Sequence, residues 1–242
     1  MEEHLWRGTI RLGKGPYAVN FFFVKKADGK LQPIQDYHPL NKYTKKNQSV
    51  SPLIPQVINR LAGCTLFTKF NIRWRYNSIR IKEGDEWKVV FLMPQGLFEP
   101  LIMFFGLTNS PAMVQAMMNE ISRMEVAQGW LLVYMDDITI HTKPHPGEME
   151  QQHGQWHKQL FHQVLKKMEE HDLYLKLEKR EFLKWGTKYL GVIVRNGTLK
   201  MNPKKLESVK NWATPTSLTK IQKFLGFTGY YRYFIPNYSA IS

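Results

Sequence analysis

The residues Leu131, Leu132, Val133, Tyr134, Met135, Asp136, Asp137 and Ile138 set two adjacent acids inside a run otherwise built for burial. Two like charges there cost free energy unless cations bind them. Nucleotidyl transfer needs such a pair, because two magnesium ions must bridge carboxylates and a triphosphate while one of them activates a hydroxyl. The plainer alternative is that aspartate favours turns. Apolar flanks and a Tyr two residues before the first acid favour metal binding. His153 and His157, four apart on a helix, have zinc-ligand spacing, but no third ligand is evident and a surface pair is the simpler expectation. Gly13, Lys14, Gly15 and Pro16 lack the spacing of a phosphate-cradling loop and read as an ordinary loop.

These acids need elements to hold them. Trp130–Tyr134 and Ile138–Thr142 predict a tight hairpin with both carboxylates at its tip. Phe21–Lys25 and Lys30–Ile34 predict another, closed by Asp28 and Gly29. His38–Pro55 reads as loop, Leu66–Ile72 as a strand, and Ile79–Ile81 with Lys88–Phe91 as a further hairpin around Glu83, Gly84 and Asp85. A helix is expected from Asn109, capped by Asn109 or Ser110, with Val114, Met117, Met118 and Ile121 on one face. Trp156, Leu160, Phe161, Val164, Leu165 and Met168 mark a second helix, and Leu173–Leu177 and Lys188–Val194 two strands. Asn196 and Gly197 signal a type I′ turn. Asn202 and Pro203 open a helix with Leu206, Val209 and Trp212 inward, ended by Pro215. A last helix runs from about Thr219 to Phe234 and carries Ile221, Phe224 and Leu225. The sum is a mixed α+β chain without internal repeats.

In 242 residues, 43% hydrophobic and 13% aromatic, there is enough apolar material for a sizeable core, which argues against disorder. The net charge of +14 is uneven. Residues 1–70 carry 11 basic and 4 acidic side chains, residues 71–142 carry 6 and 8, and residues 143–242 carry 17 and 8. A slightly acidic middle between basic flanks suits a polyanion-handling protein with a cation-requiring centre, and equally a solvated basic surface. No apolar run is long enough for a membrane helix, so no membrane partner is expected. The single Cys64 excludes an intrachain disulfide and a Cys-rich zinc finger, and points to a reducing, intracellular setting, cytoplasmic or nuclear.

Six ordered motifs resemble the reverse transcriptase of gypsy-like LTR retrotransposons. They are Phe21–Lys26 with Asp28–Lys30; Gln35–Tyr37 with Leu40 and Asn41; Phe104–Ala112; the Tyr134-Met135-Asp136-Asp137 hairpin; Leu173–Lys176 before Tyr189–Gly191; and Phe224–Gly226 through Phe234–Pro236. The resemblance implies an α+β right-hand polymerase with an antiparallel palm sheet packed on helices. Fingers would span residues 1–70, with 85–100 returning to them, the palm 71–195, and the thumb or the start of a connection 196–242. It implies RNA-directed DNA polymerase activity, with RNA or DNA template and primer and dNTP as partners. Two Mg2+ ions would sit on Asp136 and Asp137. Lys25 or Lys26 would approach the triphosphate, Tyr76 would screen the sugar, Phe105 and Gly106 would line the nucleotide pocket, and Tyr189, Leu190 and Gly191 would hold the primer end. Without the resemblance, Tyr76, Phe105 and Tyr189 read as core aromatics and the lysines as a solvated strand face.

The departures from the family cluster at this pocket. Asn71 stands where the family has a third metal carboxylate; an amide oxygen can ligate magnesium but brings no charge. Arg75 replaces a Gly, Gln32 replaces a triphosphate-binding Arg, and His38 replaces another Arg. These changes predict a catalytically impaired copy; the alternative is a non-catalytic nucleic-acid-binding remnant or polymerase-like subunit.

Overall fold

The structure, a computed structural model, describes residues 2–25, 29, 31–47, 54–73 and 76–241. Its first part comprises α1 (Glu2–Trp6), β1 (Ile10–Leu12), β2 (Val19–Lys25), β3 (Leu31–Gln35), α2 (His38–Tyr43) and α3 (Ile54–Leu61). β2 and β3 form the expected antiparallel hairpin, Phe21 opposite Gln35 and Lys25 opposite Leu31. The loop expected over His38–Pro55 is a correction: it opens with α2 and runs into α3. Pro39 and Pro55 lie in the first turns of these helices, where a missing N–H costs nothing. Proline there marks a helix start, and Val57, Ile58 and Leu61 give α3 a buried face.

The middle comprises β4 (Leu66–Ile72), a 3-10 turn at Glu86–Val89, β5 (Phe91–Met93), β6 (Gly96–Pro100), α4 (Ser110–Ile121), α5 (Arg123–Gln128), β7 (Leu131–Tyr134), β8 (Asp137–Thr142) and α6 (Glu150–Glu170). No hairpin joins residues 79–81 to 88–91. Arg80 bridges Ile102 instead. Phe91 pairs with Phe98 and Met93 with Gly96 across a two-residue turn at Pro94 and Gln95. α4 buries Val114 and Met118 as its spacing predicts. Its expected cap is absent: the Asn109 amide donates to Lys45 O at 2.9 Å, and its oxygen accepts from Asn47 N at 2.9 Å.

The last part comprises β9 (Leu175–Lys184), β10 (Gly186–Tyr189), β11 (Val192–Arg195), β12 (Thr198–Met201), α7 (Pro203–Lys210), α8 (Leu218–Tyr230) and α9 (Tyr238–Ile241). The single strand expected at Lys188–Val194 is a hairpin turning at Leu190 and Gly191. α7 is capped by the Asn202 side chain as expected, yet it buries none of its residues and stops before Pro215. Trp212, beyond it, packs on Phe224 and Phe227 of α8, ring centres 5.6 and 5.3 Å apart. The helix expected to run from Thr219 to Phe234 is α8, which ends at Tyr230, and a separate 3-10 turn covers Arg232–Phe234.

The described strands make three sheets, ordered β1-β6-β5-β2-β3, β7-β8-β4-β9 and β10-β11-β12. The second is antiparallel throughout. It packs on α4 and α6 through Phe70, Val114, Met118, Leu131, Ile138, Ile140, Val164 and Met168. At about 25 cal/mol per Å2 of apolar area, this burial is the term that holds the sheet and helices together.

Candidate active site

The hairpin forms where the sequence predicts, but only Asp136 lies in its turn, and Asp137 opens β8. β7 and β8 pair with Tyr134 opposite Asp137, so Met135 and Asp136 form the tip. Met135 has a φ of 55°, the left-handed region that costs a side chain about 1 kcal/mol. Gln115, fully buried on α4, stabilises that backbone: its Oε1 accepts from Met135 N at 2.7 Å, and its Nε2 donates to Val133 O at 3.3 Å. From the other side Ile72 N donates to Asp136 O at 3.0 Å. The tip is therefore held between α4 and β4.

β4 runs through the sheet centre, and its register puts Asn71 opposite Asp137. The Asn71 amide nitrogen donates to Asp137 Oδ1. Lys69, two residues earlier and so on the same face, has its Nζ 3.6 Å from Asp137 Oδ2. The same ammonium lies 5.3 Å from the centre of the Tyr189 ring. Both oxygens of Asp137 thus face hydrogen-bond donors from β4. Burial, reinforced by the Asp137 charge, pushes the Tyr189 phenol above its ordinary range, against the opposing pull of the neighbouring Thr139 hydroxyl.

This donor set does not fit a two-ion centre. One expected carboxylate is an amide turned donor-first toward Asp137, and a lysine neutralises the carboxylate beside it. Among the described residues no three His, Cys, Asp or Glu side chains converge as a metal site.

Beside the acids, Tyr76 is buried with its ring edge-on to half-exposed Phe105, centres 4.8 Å apart. Gly106 has a φ of 101°, and a Cβ there would meet Gln35 O at 3.2 Å. Asn41 holds this loop: its Nδ2 donates to Gly106 O at 2.7 Å, and its Oδ1 accepts from Thr108 N at 2.9 Å. Lys25, exposed, ends β2. Lys26, Asp28, Lys30, Arg75 and the Gln32 side chain lie outside the described residues.

Tyr189, Leu190 and Gly191 form the tip of the β10–β11 hairpin. Leu190 and Gly191 have φ of 44° and 84°, both positive as a type I′ turn requires. Tyr230 of α8 donates its hydroxyl to Leu190 O, and a Cβ on Gly191 would stand 2.6 Å from the Tyr231 hydroxyl. The structure therefore brings together Asp136, Asp137, Asn71 and Tyr189, and separately Tyr76, Phe105 and Gly106. Lys69, Gln115 and Asn41 are the positioning residues that sequence reasoning did not single out. For Lys69 the signal was present, since alternation along β4 sets it on the Asn71 face.

His153 and His157 correct their expectation: both are buried rather than exposed. The Thr142 hydroxyl lies 2.7 Å from His153 Nε2 and 2.8 Å from His157 Nδ1, and His157 Nε2 lies 2.9 Å from Thr68 Oγ1. They tie α6 to the sheet. No helix among the described residues is long and apolar enough to cross a membrane.

The chain is similar to the Transposon Tf2-3 and Tf2-7 polyproteins of Schizosaccharomyces pombe. Each is 34% identical over all 242 residues, which span 17% of the polyprotein. Its fold is similar to that of a foamy viral protease-reverse transcriptase solved with double-stranded DNA. That likeness has a TM-score of 0.81 and 20% identity, over 98% of this chain and 40% of that one. A foamy viral protease-reverse transcriptase solved with an RNA/DNA hybrid gives a TM-score of 0.69 and 18% identity, over 93% of this chain and 29% of that one. Residues 24–194 match the family described as reverse transcriptase (RNA-dependent DNA polymerase). With its paired acids on a tight hairpin, an α+β polymerase fold and relatives among retrotransposon polyproteins, the chain belongs to the reverse transcriptase family.

Proposed function

We propose that this chain is the polymerase domain of a retrotransposon polyprotein, acting in an intracellular, cytoplasmic or nuclear compartment. Its inherited reaction is template-directed dNTP addition to a primer on RNA or DNA. Residues 1–70 and 85–100 serve as fingers, 71–195 as palm and 196–242 as thumb, β4 running across the first join. The neighbours solved with double-stranded DNA and with an RNA/DNA hybrid support a duplex as the partner. In this reading Tyr76, Phe105 and Gly106 line the nucleotide pocket, Lys25 or Lys26 serves the triphosphate with Gln32 in place of the family's Arg, and Tyr189–Gly191 supports the primer end. Asp136 and Asp137 stand at the cation-binding positions of a family that uses divalent metals, and Asn71 at the position of its third carboxylate.

The single observation that carries the rest is the Asn71–Asp137–Lys69 arrangement. It leaves the acids one charge short and already compensated, so this copy is a weak or inactive polymerase. The same arrangement favours the second reading, a domain that grips primer and template without chemistry. Primer extension on an RNA template with magnesium separates them. The chain as given should extend little, and Asn71→Asp should extend on the order of 100-fold better, the scale of one recovered electrostatic contact in a reaction centre. Adding Asp136→Ala to Asn71→Asp should abolish the gain. Equal extension by the natural chain and Asn71→Asp would overturn the impairment; binding without extension in both would leave the second reading.

A further inference from the structure

The β7–β8 hairpin has a second end. Where β7 begins and β8 finishes, a cleft of about 610 Å3 opens, lined by Arg60, Trp130, His141, Lys143, His145 and Trp156 among others. Arg60 comes from α3 and Trp156 from α6. From Asp137 to His141 is four residues along one strand, about 13 Å at the rise of a β-strand. The cleft is therefore distinct from the paired acids.

Its chemistry is one-sided. Arg60 and Lys143 are exposed cations whose charges both act on His141, and no carboxylate lines the cleft among the described residues. His141 is 2% exposed. Its Nδ1 lies 3.3 Å from Cys64 Sγ, while Nε2 is buried without a hydrogen-bond partner. Burial above all, with the two cations behind it, holds this imidazole neutral, its pKa lowered to about 3. A neutral imidazole presents Nε2 as donor or acceptor according to the direction of the cysteine bond. That nitrogen is closed to solvent, so a ligand in the cleft meets the cations and the indole and not the imidazole.

The walls are aromatic. Trp156, part-exposed, lies 5.1 Å from His145 and 6.1 Å from His153, ring centre to ring centre, while Trp130 is buried in the core and donates Nε1 to Gln128 Oε1 at 2.8 Å. Two exposed cations and one part-exposed indole lining the same cleft suit a ligand that is anionic at one end and flat at the other, the chemistry of a nucleotide. We propose that this cleft binds a nucleotide bearing a terminal phosphate, free or at the 5′ end of a single strand. The phosphate lies between Arg60 and Lys143 and the base against Trp156. This does not depend on the polymerase reading.

The test is calorimetric titration of the full chain, without added metal, with three probes: dAMP, 5′-phosphorylated hexathymidylate and unphosphorylated hexathymidylate. At least one phosphorylated probe should bind. Arg60→Ala and Lys143→Ala, both at exposed positions, should each weaken that binding about tenfold, as expected for a charge-assisted phosphate contact. Trp156→Leu should also weaken it about tenfold through lost stacking. Asp136→Asn should leave it unchanged. Preference for dAMP identifies a free nucleotide, and preference for the phosphorylated oligomer over the unphosphorylated one identifies a strand end. The proposal is overturned if neither phosphorylated probe binds at millimolar concentration, or if the oligomers bind equally while dAMP does not. It is overturned equally if binding survives both Arg60→Ala and Lys143→Ala.

Discussion

His157 is closed off from water and held by hydroxyls on both ring nitrogens, the Thr142 oxygen at 2.8 Å and the Thr68 oxygen at 2.9 Å. Burial, with His153 adding to it, lowers its pKa to about 4. Released into the unfolded chain it titrates near 6.5. Between those values the unfolded state binds more protons than the folded one. Stability is therefore complete above about pH 6.5 and is lost as pH falls through about 4. At about 1.36 kcal/mol per pKa unit, His157 alone accounts for roughly 3 kcal/mol, and His141 adds to the loss in the same direction. The urea midpoint should be lower at pH 5 than at pH 7, and His157→Gln should show a smaller drop over that range. An identical drop in both proteins would show that His157 is not the proton-linked group. The sequence displayed this pair at helical spacing but not its environment. Spacing is local, whereas burial depends on Thr68, far away in the chain, arriving opposite α6.

The hairpin closed by Leu190 and Gly191 shows how an element is positioned and how it escapes a sequence reading. Leu190 at positive φ carries no compositional signal, so the run from Lys188 to Val194 reads as one strand, although Gly191 marks its bend. The acid-bearing hairpin was legible because its signal is local: apolar runs on both sides and two turn-forming acids between them. The α3 face and the Asn41 clamp on Gly106 are long-range, and only Asn41's place in a family motif hinted at the second. At the Gly191 turn, both backbone and space demand glycine. A Cβ would stand 2.6 Å from the Tyr231 hydroxyl, on a φ of 84°. Gly191→Ala should cost about 1–2 kcal/mol, from left-handed strain and the displaced tyrosine. Urea denaturation measures that loss, and adding Tyr231→Phe should return the steric part of it. If Gly191→Ala is as stable as the natural chain, the hairpin tip does not seat on α8 as the structure has it.

Charge acts over the whole molecule, which the sequence already disclosed: a net +14 gathered in the two ends of the chain around a slightly acidic middle. The fold gives that pattern a geometry. The acidic middle supplies β8 with Asp137, while basic residues 1–70 contribute β1–β3 and residues 143–242 contribute α7 and α8. α8 leaves Ile221 and Leu225 exposed, and α7 leaves exposed Leu206, which the sequence reading expected to turn inward. The chain spans 17% of the polyproteins it matches, so contacts made by the remaining length do not enter a measurement on these residues alone. If the basic ends grip a duplex, binding releases condensed counterions. The logarithm of the affinity then falls linearly with the logarithm of salt, with a slope near −0.9 for each phosphate neutralised on B-form DNA. A primer–template titrated at several salt concentrations should give a steep negative slope. Charge reversal at exposed Lys204 and Lys220, on α7 and α8, should lower its magnitude without changing extension by Asn71→Asp at low salt and saturating duplex. Contact with phosphate is sequence-independent, so the reduction should be the same on RNA/DNA and DNA/DNA duplexes. A slope near zero would mean that the basic ends are solvated surface and that the duplex is held by something other than charge.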